Sequence, residues 1–340
     1  MGVKGFFYMI KKHFKYSHTT LPFYDYLFID GNCILHYCIE SFENAIPFCL
    51  NEVIEAIIKK MEELINKYSI KKKVYIVFDG IPPLPKQYCQ KVRRENSDKL
   101  SIFLLPGTKM MREIESKIVS YFKSDFIEIV ESDKDGEGEQ KIFLILKEIY
   151  VPGETSLILS VDSDVIILAY ILLSDPMFNH KIFVESSGFK ITVNVNSLKL
   201  VLPINDLLLF CVLCGNDFFP KLEELKSFTT TQNMKILKMV VESNNKIFED
   251  ISEGICVLNC DNTKVLNYLN LIRWYKEYFT TNISKPCLPY DYEISPCCYC
   301  ISTKIKSLKD NNEEVNLDIP EIQNYLQYVL QPNQMSNIYC

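Results

Sequence analysis

The sequence lacks an apolar run long enough to cross a membrane, and it opens without a signal peptide. It also shows no internal repeat and no low-complexity linker. Its composition, with 48% hydrophobic and 24% charged residues, is that of a globular protein. We therefore expect a soluble, intracellular protein that makes no membrane contact, in the cytoplasm, with the nucleus as the alternative compartment.

An excess of positive charge is also absent, because the net charge is −6. This balance argues against a general nucleic-acid coat protein. It leaves a nucleic-acid enzyme open, since a local basic patch can act within an acidic molecule and catalytic acids lower the net charge.

Histidines are few, at four, whereas there are thirteen cysteines. Most cysteines lie inside apolar runs such as FCVLC and IPFCL, which favours reduced, buried thiols. The alternative is a zinc site made of Cys256, Cys260, Cys297 and Cys300. No histidine flanks this group and the spacing between its halves differs from that of a common zinc finger, so buried thiols remain the preferred interpretation.

What the sequence does contain is an alternation of short apolar runs with longer amphipathic segments. Strands are predicted at 26–30, 73–79, 126–132 and 155–162, and helices at 50–68, 85–100, 107–124, 163–173, 203–217, 266–279 and 319–330. Strands that alternate with helices predict an α/β fold with a doubly wound, mostly parallel sheet. The later part is helix-rich, so we expect a domain over 1–230 and a C-terminal appendage over 231–340.

Acidic residues lie where the predicted strands end, and more follow in the segments DGEGE and GND. Because the carboxyl ends of parallel strands share one edge of a sheet, where ligands bind, we expect these side chains to meet there. The glycine between the two glutamates allows a tight turn at a helix start. The candidate residues are Asp30, Asp79, Glu137, Glu139, Asp162, Asp164 and Asp217.

Seven acids at one edge would repel one another and retain protons unless cations compensate for their charge. Mg²⁺ or Mn²⁺ suits carboxylate ligands, and two such ions about 4 Å apart can activate a water and stabilise the leaving oxygen of a phosphodiester. A single acid at such a position is more often a turn former or a helix cap. The coincidence of all seven favours a centre with two metal ions.

A basic helix is predicted directly after Asp79. Its residues Lys86, Gln90, Arg93 and Arg94 share one helical face. Such a face can hold a phosphate group while the neighbouring phosphodiester meets the metal ions. The alternative is a solvated basic helix that binds nothing.

Seven segments, in order along the chain, resemble the Xrn family of 5′→3′ exoribonucleases. They are MGVKGFFYMIKK, FIDGNCILH, FDGIPPLPKQYCQKVRR, LLPGTKMM, DGEGEQKI, LSVDSDVIIL and CGNDFFPKL. Three later segments, YLNLIRWYKEYF, LPYDYE and IPEIQNYLQYVLQP, are similar to pieces of the family's second conserved region. The resemblance therefore covers nearly the whole chain.

The resemblance implies a PIN-like nuclease, related to flap endonucleases, with two divalent ions held by the seven acids. It implies that the basic face binds the 5′-monophosphate of single-stranded RNA, with DNA as an alternative substrate. His36 matches the histidine that stacks on the 5′ base, and Asn32 matches the polar residue beside the first aspartate. A decapping or other RNA-processing factor is the implied kind of protein partner.

The chain also departs from the family pattern. The stretch NISKPCLPYDYE has no tryptophan, so Tyr290 or Tyr292 would have to supply the second wall of the base-stacking slot. The one tryptophan, Trp274, lies in a predicted helix where core packing is the simpler role. The family's long linker and the C-terminal domains of its cytoplasmic members are missing, which predicts a compact catalytic core.

Three other functions compete with this interpretation. A flap-type DNA endonuclease is disfavoured, because no Gly-x-Gly hairpin follows CGNDFFP. A catalytically inactive RNA-binding scaffold is disfavoured by the complete set of acids. A phosphatase that uses the same metal ions stays open.

Overall fold

The structure is a computed structural model of the 340-residue chain. It describes residues 2–3, 6–7, 20–42, 49–95, 100–186, 191–197, 203–227, 229, 232–242, 260–281 and 295–311. The chain divides into two compact units. We call them the sheet unit, whose described residues fall within 16–82 and 93–198, and the helical unit, whose described residues fall within 1–15, 83–92 and 199–322.

The sheet unit is built on a six-stranded sheet in the order β3-β2-β1-β4-β5-β6. The strands are β1 (Tyr24–Asp30), β2 (Ile70–Val77), β3 (Ile127–Val130), β4 (Thr155–Leu159), β5 (Lys181–Ser186) and β6 (Ile191–Asn194). Neighbouring strands pair in parallel except for β5 and β6, which pair antiparallel. This arrangement confirms the predicted mostly parallel α/β sheet, and it directs the carboxyl ends of β1, β2 and β4 to one edge.

Helices follow the strands in the sheet unit. They are α1 (Gly31–Glu40), α2 (Leu50–Lys67), α4 (Lys109–Tyr121), α5 (Gly138–Glu148) and α6 (Asp164–Leu173). The amphipathic faces of α1, α2 and α4 pack on Leu27 and Ile29 of β1 and their neighbours in one buried cluster. Every residue of β1 except Asp25 is buried, as expected for a central parallel strand covered on both faces.

The helical unit contains α7 (Ile204–Cys214), α8 (Asn233–Glu242), α9 (Asn262–Thr281) and α10 (Cys298–Asn311). The basic helix α3 (Leu84–Arg94) begins in this unit, and its last two residues fall in the sheet unit. The helix-rich character expected of the later part of the chain is thus confirmed. The predicted boundary near residue 230 stays a prediction.

Several predicted elements end earlier than expected. Strand β2 ends at Val77 and β4 at Leu159, so Asp79 and Asp162 lie just beyond their strands. The reason is that the backbone N–H of Asp79 donates to the Asn32 side chain, and that of Asp162 to Ser160 Oγ, instead of to a neighbouring strand. The basic helix ends at Arg94, short of the predicted residue 100.

Strands β5 and β6 and helices α1, α8 and α10 were not predicted from the sequence. The predicted helix at 319–330, Tyr290, Tyr292 and Cys256 lie outside the described residues. None of the helices in the described part of the chain combines the length and the apolar character needed to cross a membrane.

Candidate functional site

Asp30 is the last residue of β1 and also caps helix α1. Its carboxylate accepts hydrogen bonds from the backbone N of Cys33 at 3.2 Å, from Cys33 Sγ at 2.9 Å and from Ser160 Oγ at 2.8 Å. Burial raises the pKa of Asp30, the hydrogen bonds oppose that rise, and the charge of Asp162 adds to it. A carboxylate is therefore held rigidly at the carboxyl end of the central strand.

Asp79 joins three elements of the same edge. Its backbone N–H donates to Asn32 Oδ1 at 2.8 Å, and its Oδ1 accepts from the backbone N of Gly138 at 2.6 Å. A Cβ on Gly138 would lie 2.9 Å from that carboxylate oxygen, so glycine permits the contact. The starts of α1 and α5 are thus both tied to the carboxyl end of β2.

The loop before α5 packs main chain against main chain. Gly80 N donates to Gly136 O at 2.8 Å, and Gly136 N donates to Ile81 O at 2.9 Å. A Cβ added to Gly80 would lie only 1.7 Å from the carbonyl oxygen of Lys134. The segment FDG can therefore meet the segment KDGEG only because it carries glycine at this position.

Helix α5 begins with the two glutamates of the segment DGEGE. Glu137 is its N-cap and Glu139 lies in its first turn, and both side chains are buried. Asp164 is the first residue of α6, and its backbone N–H donates to Asp162 Oδ1 at 3.0 Å. Carboxylate oxygens of Glu139, Asp162 and Asp164 all lie within 4.8 Å of one another.

These three carboxylates fit a divalent cation. Two unit charges about 4 Å apart repel by roughly 4 kcal/mol at an effective dielectric constant of about 20, so the cluster favours a compensating positive charge. Carboxylate oxygens are the ligands that Mg²⁺ and Mn²⁺ prefer. The acidic cluster can therefore hold a hard divalent ion, as the sequence predicts for this edge.

Two buried side chains that the sequence analysis missed hydrogen-bond to the backbone at the carboxyl edge of the sheet. Lys141 Nζ donates to Phe78 O at 2.9 Å and to Glu131 O at 3.2 Å, and burial lowers its pKa although the charge of Asp79 opposes the shift. Glu115 on α4 accepts from the backbone N and the Oγ of Ser132. Neither residue stands out in the sequence, because a lysine and a glutamate within amphipathic helices usually face solvent.

Asp217 lies in the helical unit, where its side chain is buried. Its Oδ2 is 3.6 Å from Lys86 Nζ, and Lys86 is itself buried on α3. Burying two opposite charges together lowers the desolvation cost of each. The sequence predicts separate roles for these residues, metal ligation and phosphate binding, and the structure pairs them with each other.

The turn around Asp217 is fixed by its neighbour Asn216, which the sequence analysis also missed. Asn216 Oδ1 accepts from the backbone N of Phe218 and of Phe219, and its Nδ2 donates to Tyr275 OH at 3.1 Å. Phe218 packs against Trp274 with ring centroids 5.6 Å apart. The buried Trp274 also stacks on Tyr278, so its predicted role in core packing agrees with the structure.

The remaining predicted residues lie on two helices. Asn32 and His36 are on α1 and are half-buried, with Asn32 engaged by Asp79 as described above. Gln90 and Arg94 are half-buried on α3, and Arg93 belongs to the same helix. Their roles toward RNA stay predictions.

Sequence comparisons relate the chain to known nucleases. Residues 1–103 match the family described as "XRN 5'-3' exonuclease N-terminus". The chain is also 26% identical over 221 residues to 5'-3' exoribonuclease 1 of Schizosaccharomyces pombe, covering 52% of this chain and 17% of that protein. The corresponding protein of Saccharomyces cerevisiae is 27% identical over 189 residues, covering 44% of this chain and 12% of that protein. These matches show that the N-terminal part of the chain resembles the Xrn exonucleases.

The fold of the chain is also found among solved structures. The catalytic core of Rad2 in complex with DNA substrate superimposes with a TM-score of 0.54 at 14% identity, covering 91% of this chain and 94% of that one. At this identity the likeness is one of fold, and it supports the PIN-like architecture that the sequence resemblance implies. The matched region spans less than a fifth of the length of either exoribonuclease.

Proposed function

We propose that this protein is a 5′→3′ exoribonuclease that hydrolyses single-stranded RNA carrying a 5′-monophosphate and releases nucleoside 5′-monophosphates. The observation that carries the proposal is the convergence of Glu139, Asp162 and Asp164 at the carboxyl edge of the sheet, in a chain whose residues 1–103 match the Xrn exonuclease family. A dense set of carboxylates at that edge suits phosphodiester hydrolysis assisted by metal ions.

The proposed metal ligands are the seven acids named from the sequence. They are Asp30, Asp79, Glu137, Glu139, Asp162, Asp164 and Asp217. When bound, two Mg²⁺ or Mn²⁺ ions would lower the pKa of a water molecule and stabilise the charge on the leaving 3′ oxygen. Hydrogen bonds from Ser160 to Asp30 and from Gly138 to Asp79 hold two of these carboxylates in one orientation before any substrate arrives.

The proposed direction of cleavage follows from the basic helix α3. Lys86, Gln90, Arg93 and Arg94 hold the terminal phosphate of the RNA by charge-assisted hydrogen bonds. His36 stacks on the first base, a contact that accepts any base, and Asn32 lies one turn earlier on the same helix. A strand fixed at its 5′ end presents the first phosphodiester to the acids, and hydrolysis then shortens it by one nucleotide.

The proposal extends to the setting of the reaction. RNA with a 5′-monophosphate arises when a cap or a triphosphate is removed, so a decapping or other RNA-processing factor is the proposed kind of partner. The proposed compartment is the cytoplasm.

A DNA nuclease is the second candidate, because the similar Rad2 core was solved in complex with DNA substrate. One panel of substrates separates the two candidates. The purified chain is incubated with end-labelled single-stranded RNA or DNA that carries a 5′-monophosphate, a 5′-hydroxyl or a 5′-triphosphate, with and without Mg²⁺. We expect nucleoside 5′-monophosphates from the monophosphorylated RNA in Mg²⁺, and preferential cleavage of DNA would favour the second candidate.

The same panel tests the acidic cluster through the variant Asp162→Ala. We expect its rate on monophosphorylated RNA to fall at least about a hundredfold, because the cluster loses one of its three neighbouring carboxylates. Asp175→Ala, an exposed aspartate after α6, is the control and is expected to keep the rate. Full retention of the cleavage rate by a folded Asp162→Ala protein would rule out the proposed mechanism.

A further inference from the structure

Three cysteines of the helical unit come together although two of them lie far from the third in sequence. Cys260 precedes helix α9, Cys297 precedes α10 and Cys300 lies in the first turn of α10. Their sulfur atoms all lie within 4.8 Å of one another. This thiol cluster is separate from the acidic cluster, which belongs to the sheet unit.

The spacing of the thiol cluster fits a metal site and is too wide for a disulfide. The sulfurs of Cys260 and Cys297 are 3.6 Å apart. Tetrahedral zinc with Zn–S bonds of about 2.3 Å sets its sulfurs about 3.8 Å apart, whereas a disulfide requires about 2.05 Å. The backbone N–H of Cys297 also donates to the sulfur of Cys260 at 3.3 Å, a contact that stabilises a thiolate.

We propose that Cys260, Cys297 and Cys300 bind a zinc ion as thiolates. Soft thiolate ligands select zinc over the magnesium or manganese that suit the acidic cluster. Cys297 is fully buried and the other two cysteines are half-buried, so the ion would be shielded while a fourth position stays available. Cys300 gains further stabilisation as a thiolate because it lies at the N-terminus of α10.

The proposed ion holds the N-termini of α9 and α10 together, and these two helices pack against each other. Helix α9 carries Tyr275, whose hydroxyl accepts from Asn216 in the turn beside Asp217. The first residue of α10 is tied to residues that follow this turn, since the backbone N of Cys298 donates to Glu224 Oε1 at 2.7 Å. Zinc would thus stabilise the part of the helical unit that holds the GNDFF turn.

Metal analysis of the full-length chain tests this proposal. Protein purified under reducing conditions and exchanged into chelator-treated buffer is expected to retain about one zinc per chain by mass spectrometry. Replacing zinc with Co²⁺ is expected to produce a sulfur-to-cobalt charge-transfer band, which carboxylate ligands do not give. Zinc below a tenth of an ion per chain without that band, or stoichiometric copper or iron in its place, overturns the proposal.

Variants identify the ligands. We expect the zinc content per chain of the Cys300→Ser and Cys260→Ser proteins to be at least tenfold lower than that of the unchanged protein. Both side chains are only half-buried, so the substitutions leave the packing largely intact. Cys298→Ser is the matched control, because Cys298 is adjacent in sequence and buried but is not part of the cluster. Folded Cys300→Ser and Cys260→Ser proteins that keep stoichiometric zinc would overturn the assignment.

The single tryptophan supplies a readout that needs no substitution. Trp274 is buried on α9, and the chain has no other tryptophan. Removal of zinc by a chelator is expected to shift its fluorescence emission to longer wavelength, and re-addition of zinc is expected to reverse the shift. Unchanged emission after complete zinc removal would contradict the proposal that zinc stabilises the position of α9.

Discussion

Ser160 links two acids of the candidate site through one hydroxyl group. Its Oγ donates to Asp30 Oδ2 at 2.8 Å and accepts from the backbone N–H of Asp162 at 3.1 Å. It is fully buried directly after β4. The separation between the central strand and the loop that carries Asp162 is therefore set by a small polar residue rather than by an acid.

Substitution of Ser160 by alanine tests this positioning role. We expect Ser160→Ala to lower the cleavage rate about tenfold and to raise the Mg²⁺ concentration needed for half-maximal rate, since outer partners of metal ligands typically change affinity or activity by 10–100-fold. Ser174→Ala, at an exposed serine whose hydroxyl donates to Tyr170 O of the preceding helix, is expected to keep both values. An unchanged Mg²⁺ requirement in a folded Ser160→Ala protein would assign Ser160 a packing role alone.

At the scale of the element, the loop before α5 depends on contact between two stretches of backbone. Gly80 has no side chain, and its N–H reaches the carbonyl oxygen of Gly136. Any Cβ at this position would collide with a backbone atom, which cannot rotate away as a side chain could. The N-terminus of α5, and with it Glu137 and Glu139, is positioned by this contact.

We expect Gly80→Ala to lower the free energy of unfolding by about 3 kcal/mol and to abolish most cleavage activity. Gly153→Ala is the matched control, because Gly153 has a positive φ of 84° but open space around it. That control is expected to lose only about 1 kcal/mol and to retain activity. Chemical denaturation measures both losses, and similar effects of the two substitutions would contradict the steric explanation.

Helix α9 shows how an element can organise a site without contributing an acid. Its aromatic residues surround Phe218 and Phe219, and its Tyr275 bonds to Asn216. Aromatic pairs of this kind add stability beyond the area that they bury. The turn that carries Asp217 is consequently held by packing from a helix some fifty residues later in the chain.

At the scale of the whole molecule, a buried histidine makes stability depend on pH. His180 is fully buried and its Nε2 lies 2.8 Å from Ser156 Oγ. Burial lowers its pKa from the ordinary value of 6.5, and the charges of Glu154 and Asp25 only partly offset this shift. Because the folded-state pKa is the lower one, the stabilising contribution is complete above pH 6.5 and is lost as pH falls toward the folded-state value.

We expect the unfolding free energy of the protein to decrease below pH 6.5 by up to about 1.4 kcal/mol per pH unit from this residue. His180→Gln keeps an amide that can bond to Ser156 but does not titrate, so its stability should depend less on pH in this window. Denaturant unfolding at a series of pH values between about 5 and 8 measures the difference. Parallel pH profiles for the two proteins would exclude His180 as the cause.

The sequence predicted strands β1 to β4 and helices α2, α4, α5 and α6 of the sheet unit, because the apolar period of each segment depends on residues two to four positions apart. It also predicted that Asp30 would end a strand and that Glu137 and Glu139 would open a helix, from the same local patterns. It did not predict β5, β6, α1, α8 or α10, and it placed the ends of β2 and β4 too late. At these two ends the backbone N–H groups of Asp79 and Asp162 donate to the side-chain oxygens of Asn32 and Ser160, not to a neighbouring strand.

The amino-acid sequence by itself determined which residue types are available and where the strands and helices that carry them lie. The tertiary structure decided which of them meet: Ser160 reaches Asp30 across 130 residues, Lys86 pairs with Asp217, and Cys260 lies beside Cys297. The physical reason is that local periodicity specifies each element's buried face, whereas contacts between distant residues depend on the order of the strands and on how the helices pack. That order emerges only when the whole core is buried at once.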